Sequence, residues 1–331
     1  MSAEHCLFCA VESDRVVIEE NGYRGHQCGR CGLIYTVPRP TEEAIVNLYG
    51  HDAAQVSADL HIADEYAKRL HARHHLRILR AIAPGGALLE IGAGAGYFLD
   101  EARRAGFDPY ALEFNPVQAE HIRTSLGIPC AEAPLSAAVF PGQRFDVIYH
   151  CDVISHFFDP IAVFRAAYAR LRDGGMMVFE TGNLGDVDRR YFKFFQRFQY
   201  PDHLYFFSTG NLRTLLERTG FEVVGTHRYS ILPQLRMQRA LRGLKAALRR
   251  HVHSPSTHES IVPRVHQAAP SRDLESRGRT AFQAAARLSQ YFEYLLRYRL
   301  GRIAPKAARP QTVIVVARRR AVSSVDPSPV R

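Results

Sequence analysis

Between Gly86 and Ser230 the chain alternates between apolar runs of strand length and stretches with helical periodicity. The runs are ALLEIGAG, PYALEFN, IPCAEA, RFDVIYHCDVISHF, MMVFET and FEVVGTHRYS. Between them lie YFLDEARRAG, PVQAEHIRTSLG with Pro116 at its start, PIAVFRAAYARLRDGG and TGNLRTLLERTG. Strands that alternate with helices predict a parallel sheet covered on both faces. A seventh run, QTVIVVARRR, comes only after about 80 residues of different character, from Ile231 to Pro310. A chain that leaves its sheet and returns with one strand carries an insertion rather than a second full domain. Ahead of the sheet, a helix is expected from about Asp59 to Ile82, stopped by APGG, and a short one capped by Thr41.

Charge separates the same regions. From Ile231 to Arg331 there are 20 Lys+Arg and 5 Asp+Glu, a net of +15, which leaves 23 basic and 28 acidic residues, a net of −5, for the first 230. The basic balance therefore belongs to the C-terminal third, and a whole-chain argument for nucleic-acid binding misreads it. The chain is 46% hydrophobic, enough for a packed core, and has no apolar run long enough to span a bilayer. Its first residues are polar, so a soluble, cytoplasmic protein is expected.

Four of the six cysteines precede residue 32, as CLFC and CGRC. Cys6, Cys9, Cys28 and Cys31 thus form two C-x-x-C pairs, the spacing of a zinc site. Two-residue spacers let both thiolates of a pair face one ion. Gly29 and Gly32 allow turns that aim backbone N–H groups at sulfur. Four thiolates close a tetrahedron and leave no open position, so the zinc is expected to be structural. Cys130 and Cys151 are expected to be small residues in strands.

The loop after the first strand reads Glu90-Ile91-Gly92-Ala93-Gly94-Ala95-Gly96-Tyr97. A dinucleotide fingerprint has glycine at the position of Tyr97. Glu113 ends the second strand, where a carboxylate is placed to grip ribose hydroxyls. This layout resembles class I S-adenosylmethionine-dependent methyltransferases, whose first motif, E-x-G-x-G-x-G, is matched completely. The resemblance implies a seven-stranded Rossmann-like α/β sheet with helices on both faces and an antiparallel last strand. It implies S-adenosyl-L-methionine as cofactor, lined by Glu90, Gly92, Ala93, Gly94, Gly96 and Phe98. Glu113 would then bond the ribose, Phe114 pack on adenine, Glu132 meet the adenine edge, and Cys151 lie near the sulfonium. The organisation expected is a zinc ribbon at 1–40, a helical linker or lid at 41–85, the core at 86–230 and 311–320, a basic helical insertion at 231–310 and a tail at 321–331.

The acceptor is less constrained. The stretch Tyr200-Pro201-Asp202-His203, followed by Phe207-Ser208, is similar to the Y-H-E-H segment of zinc-containing sugar C-methyltransferases, which also carry a four-cysteine ribbon. In this chain the first His of that motif is Pro201 and the Glu is Asp202. The resemblance implies a nucleotide- or lipid-linked sugar, methylated on carbon or oxygen. His203 is the first candidate general base, with Asp202 orienting it and Tyr200 and His156 nearby. His71 and His75 are spaced i, i+4, but with no further ligand evident they read as a solvated helix face. Two other classes fit parts of the pattern: an RNA methyltransferase using the ribbon and basic third, although HCDV stands where an N-P-P-Y-type motif is expected, and a non-catalytic protein that binds the cofactor. Within 231–310, Met237, Leu241, Leu244 and Leu248 form one helix face and Arg239, Arg242, Lys245 and Arg249 the other. The apolar face is expected to pack on the domain or on an anionic membrane, and the basic face to attract an anionic acceptor.

Overall fold

The computed structural model describes residues 5–41, 43, 51–252, 272–303, 306 and 308–321, without the side chains of 51–55, 57, 244–252 and 272–282. The Thr41-capped helix and the tail expected from 322 onward lie outside the described residues.

Seven strands form the main sheet: β4 (Gly86–Ile91), β5 (Phe107–Leu112), β6 (Cys130–Ala131), β7 (Phe145–Cys151), β8 (Leu171–Gly182), β10 (Phe221–Ser230) and β11 (Gln311–Arg319). Their order is β10-β11-β8-β7-β4-β5-β6. Pairings from β8 through β6 are parallel, and β11 runs antiparallel between β10 and β8. The ends of the long excursion meet, since Ile231 N–H donates to the carbonyl of Pro310 at 3.0 Å.

The apolar runs are continuous because the sheet is buried on both faces. Leu89, Ile148, Phe179 and Val315 point into one core, while Leu88, Val147, Val178 and Ile314 point into the other. Period-two alternation assigns neighbours to opposite faces. The first face is covered by α5 (Pro160–Arg170) and α6 (Thr209–Arg218), through Phe164, Leu212 and Leu216, and by the N-terminal segment through Phe8 and Leu33. The second is covered by α2 (Glu65–Arg80), α3 (Tyr97–Arg104) and α4 (Pro116–Thr124). Where one helix is expected over 59–82, there are two. Helix α1 (His51–Ala63) gives way to α2 at Asp64, whose carboxylate is bonded by Gln290 from the distant insertion.

A second sheet of order β1-β2-β3-β9 holds the cysteine segment: β1 (Val16–Glu20), β2 (Tyr23–Gln27), β3 (Ile34–Val37) and β9 (Tyr205–Phe206). Its fourth strand comes from the main domain, with Ile34 paired to Phe206 and Tyr35 to Tyr205. The ribbon is thus stitched to the segment that leads from β8 to α6. Around this seam Thr36 Oγ1 donates to the carbonyl of His203 at 2.7 Å, and Glu20 accepts from the N–H groups of Phe198 and Tyr200.

In the insertion, α7 (Leu232–Val252) and α8 (Arg272–Tyr294) are helical, and α8 runs into a π-helical turn, Leu295–Leu300. At its described positions α7 follows expectation only in part: Met237 is half-buried and Arg239 exposed, but the arginines also engage the protein. Arg239 and Arg242 bond to Lys193 and Gln196 of the β8–β9 connection, and Arg236 and Arg239 lie over the ring of Phe194. Leu241, on the supposed core face, is 49% exposed. Cation–π contacts and carbonyl acceptors hold the arginines there. The side chains of Leu244, Lys245, Leu248 and Arg249 lie outside the described residues.

The seam is closely packed at Gly185, where an added Cβ would sit 2.5 Å from the backbone nitrogen of Ser208 and 2.7 Å from the carbonyl carbon of Phe207. Backbone on both sides cannot yield as a flexible side chain would. Gly185→Ala is expected to destabilise the fold by about 1–3 kcal/mol, read as a fall in thermal midpoint. An unchanged midpoint would show that the seam has slack.

Candidate functional site

At the carboxyl ends of β4 and β5 the chain builds a polar crevice. A side chain at Gly92 would strike Val153 at 2.8 Å, and one at Gly96 would strike Ile122 at 2.8 Å, so these two glycines serve close packing. Gly94 differs in its neighbours: at φ +56°, a side chain there would meet polar groups, His61 Nδ1 at 3.3 Å and Gln118 Oε1 at 3.5 Å. Its N–H donates to Glu113 Oε2 at 2.7 Å, while Asn115 N–H donates to Oε1 at 2.8 Å. Burial raises the Glu113 pKa, and these N–H groups oppose the rise. Each of its oxygens keeps a second lone pair for a ligand hydroxyl.

Glu90 lies beneath the loop, fully buried, and burial together with the charge of Glu113 raises its pKa well above the carboxylate range. Its Oε2 has no partner among the described residues. A buried oxygen left unsatisfied is costly unless a bound group completes it. Phe114 is 68% exposed at the tip of β5, a flat apolar face open to a planar base. These features fit a ligand with a diol, a base and a polar end, such as S-adenosylmethionine. Three of the residues expected to line it also have partners within the protein. Phe98 is buried and stacked on Tyr149 at 3.8 Å, because α3 packs its first turn against β7. Glu132 is paired with Arg123 at 2.8 Å, and Ala93 is buried with its N–H on the Leu112 carbonyl. Cys151 is half-buried at the end of β7.

Beside this crevice, past the end of β7, Ile154–His156 forms one 3-10 turn. His156 Nδ1 bonds to Asp202 Oδ1 at 3.0 Å. The expected partnership of Asp202 with His203 is therefore replaced: the carboxylate is on His156. The His203 ring stands edge-on to His156 at 4.8 Å, and its Nδ1 is buried without a partner among the described residues. Burial and the neighbouring His156 lower the His203 pKa to about 4. Burial also works against the charged form of His156, but the bond from Asp202 outweighs it and the pKa is raised. Tyr200 is 3% exposed and packs with Ile18 and Ile34 beneath the ribbon sheet, away from the crevice.

The pair His71 and His75 is not a solvated face. His75 is 2% exposed and bonds to Glu180, Tyr149 and Tyr298. Burial and the charge of Arg297 lower the His71 pKa to about 3. Glu180, the centre of this cluster, has no exposed side-chain surface, yet it is held below the usual carboxylate range because Arg297 and His75 outweigh its burial. Glu180, Arg297 and Tyr298 are the residues that sequence reasoning missed. A Glu inside an apolar strand is the one local signal for them; their convergence depends on topology. Donor atoms of His75, Cys151 and Glu180 lie within 4.8 Å of one another, but the guanidinium of Arg297 already neutralises the carboxylate.

The sulfurs of Cys6, Cys9, Cys28 and Cys31 lie within 4.8 Å of one another. A tetrahedral zinc site with bonds of about 2.3 Å needs sulfurs about 3.8 Å apart. Cys6 and Cys31 stand at 3.4 Å, and no disulfide joins any of the four. Backbone N–H groups of Phe8 and Cys9 point at Cys6, and those of Arg30 and Cys31 at Cys28. Burial opposes the Cys28 thiolate, but these groups bring its pKa down to about 7, while burial holds Cys6 and Cys31 up. A divalent cation held by the cluster would favour the thiolate forms of Cys6 and Cys31 that burial opposes.

A family model described as a methyltransferase domain matches residues 63–226. The chain is 32% identical over 104 residues to a ubiquinone biosynthesis O-methyltransferase of Cereibacter sphaeroides, covering 30% of this chain and 42% of that protein. It is 27% identical over 132 residues to the enzyme of the same name from Xanthomonas campestris, covering 37% of this chain and 55% of that protein. It thus spans about half or less of the length of these relatives. Among solved structures, an S-adenosylmethionine-dependent methyltransferase from Mesorhizobium loti is 19% identical, with a TM-score of 0.42, covering 73% of this chain and 96% of that one. Residues 63–226 thus match a methyltransferase domain.

The free lone pairs of Glu113 are placed to accept from the two hydroxyls of a ligand diol. Charged hydrogen bonds contribute about 1.5–3 kcal/mol each, so Glu113→Ala is expected to weaken S-adenosylmethionine binding at least about tenfold in calorimetry. Unchanged affinity would mean that the ribose lies elsewhere.

Proposed function

We propose that this domain methylates an oxygen of a small-molecule acceptor, with His156 as general base and Asp202 as its orienting carboxylate. The observation that carries the reading is the 3.0 Å bond between His156 Nδ1 and Asp202 Oδ1, one turn beyond the tip of β7. An imidazole anchored through Nδ1 turns its other nitrogen to a substrate proton, and the carboxylate stabilises the imidazolium that forms. S-adenosylmethionine, when bound, supplies the electrophilic methyl group. Glu113 and the Gly94 loop hold its sugar, and the β7 tip keeps the acceptor at near-attack distance, roughly 3–3.5 Å. His156 takes the hydroxyl proton; His203, neutral at physiological pH, packs against it. The O-methyltransferase relatives support an oxygen acceptor, and the Tyr200–His203 resemblance keeps a sugar among those to be assayed.

The four-cysteine cluster is, in the same reading, a structural zinc site. Through β3 and β9 it holds the segment that carries Asp202.

Two outcomes follow. A general base works deprotonated, so a raised His156 pKa places the acid limb of the rate profile above the usual histidine value of about 6.5. Asp202→Asn is expected to move that limb to lower pH and cut kcat by roughly 10²-fold, in assays with phenol and sugar-nucleotide acceptors. The sign for stability is opposite: the pair contributes below about pH 6.5 and ceases to contribute as pH rises through the raised value. A limb that stays in place in Asp202→Asn would exclude His156 as the titrating base.

Metal analysis of protein purified without added zinc should find about one zinc per chain. Cys28→Ser should lose it and reduce turnover more than donor affinity. A variant that loses the metal but keeps full turnover would uncouple ribbon from site.

A further inference from the structure

The C-terminal insertion is joined to the sheet at Ser230 and Gln311, but one of its side chains reaches the crevice. Beyond α8 the π-helical turn Leu295–Leu300 carries Arg297 inward, and π-helical turns recur at functional sites. The guanidinium of Arg297 sits on the buried carboxylate of Glu180 and donates to Thr312 Oγ1 at 3.0 Å. On its other side, Nη2 stands 3.8 Å from Asp152 Oδ2. Asp152 is the first residue after β7, next to Val153, which packs on Gly92 of the donor loop. It has φ +54°, a left-handed backbone state that Asp adopts more readily than most non-glycine residues. Its N–H is pinned to the carbonyl of Glu180 at 2.9 Å.

We propose that Arg297 is a positioning residue of the methyl-transfer site: seated on Glu180, it holds the Asp152 carboxylate at the β7 tip, where that carboxylate accepts a hydrogen bond from the methyl acceptor. The insertion is then part of the acceptor site. This rests on the acceptor lying at the β7 tip, as proposed above. The division of labour is between two carboxylates. Glu180 is sealed and spends its charge on Arg297, His75 and Tyr298. Asp152, with 57% of its side chain exposed, is the one open to a ligand. The charged and titratable groups facing Asp152 are Arg297 from the π-helical turn, Glu180 from β8, His75 and Lys68 from α2, and Cys151 and His156 from its own segment. Desolvation at the β7 tip and the charge of Glu180 raise its pKa, and Arg297 opposes them first among the cations.

Removing Arg297 alone would strand a buried charge and unfold the protein for an uninteresting reason. The comparison is therefore between E180Q and E180Q/R297Q, which differ only at Arg297 and leave no sealed carboxylate behind. Aspartate carboxyl ¹³C signals are followed through a pH titration, with Asp152 assigned by its loss in D152N. Asp152 should titrate at higher pH in the double variant. S-adenosylmethionine affinity by calorimetry should stay within about twofold, and acceptor KM should rise about tenfold, the effect of one lost charged hydrogen bond. Coincident titration curves would overturn the proposal, as would donor affinity that falls as far as turnover does. If the glutamine variants do not fold, R297K is compared with wild type: lysine reaches one carboxylate but not both, so Asp152 should again titrate higher, and an unmoved midpoint overturns the idea. The titration and the calorimetry need no acceptor. Failure of every acceptor to turn over would count against the proposed function and leave this test standing.

Discussion

Two residue pairs, Ile34 with Phe206 and Tyr35 with Tyr205, join the cysteine-bearing sheet to the main domain. Much depends on this short seam. On its own, a ribbon of this size buries too little to be stable without a cross-link or a metal. The connection from β8 to α6 has little regular structure of its own. Each supplies what the other lacks. The ribbon gives the connection a strand partner, and the connection gives Leu33, Tyr35 and Phe8 a core shared with Phe207 and Leu212. Asp202 lies three residues ahead of β9, so the same backbone bonds that close the ribbon also place the carboxylate facing His156.

The second face of the sheet is organised by charge. Glu180 stands in a strand where both neighbours along the chain are apolar or small, and a lone carboxylate there would be driven to its neutral form. It stays ionised because His75 arrives from α2, and Arg297 and Tyr298 from the insertion. Segments distant in sequence are thereby fixed to one point. The neighbouring cluster on α3 works by the same rule: Asp100 and Glu101 are nearly buried, and Arg69, Arg73, Arg103 and Arg104 surround them.

What the sequence discloses follows from the range of each signal. Strand runs, the Gly94 loop, Glu113 and the paired cysteines are local patterns, and each appears where its periodicity or spacing places it. Residues 198–206 are legible as a motif but not in their pairing, because whether Asp202 turns to His203 or to His156 depends on a turn 46 residues earlier. His75 is misread because its i, i+4 partner suggests a surface, whereas Glu180 and Tyr298, which decide its burial, lie 105 and 223 residues further along. The basic helix α7 is legible only in part. Amphipathicity says that one face will be covered but not which surface is on offer, and here the aromatic ring of Phe194 is there to receive arginine.

The bond from Ile231 to Pro310 brings the two ends of the insertion within one hydrogen bond of each other. A detour that starts and finishes at the same place exerts no pull on the strands it leaves. Its closure entropy grows only logarithmically with length, about 0.6 kcal/mol for each doubling. Evolution is thus at liberty to lengthen, shorten or recolour this segment with little penalty to the sheet. The restriction falls on its final stretch, from Tyr294 to Gly301, where the chain must come back in register to deliver a guanidinium to Glu180. Such a layout pairs an exterior free to vary with a fixed point of entry, an arrangement that lets what the site admits change without rebuilding the sheet beneath it.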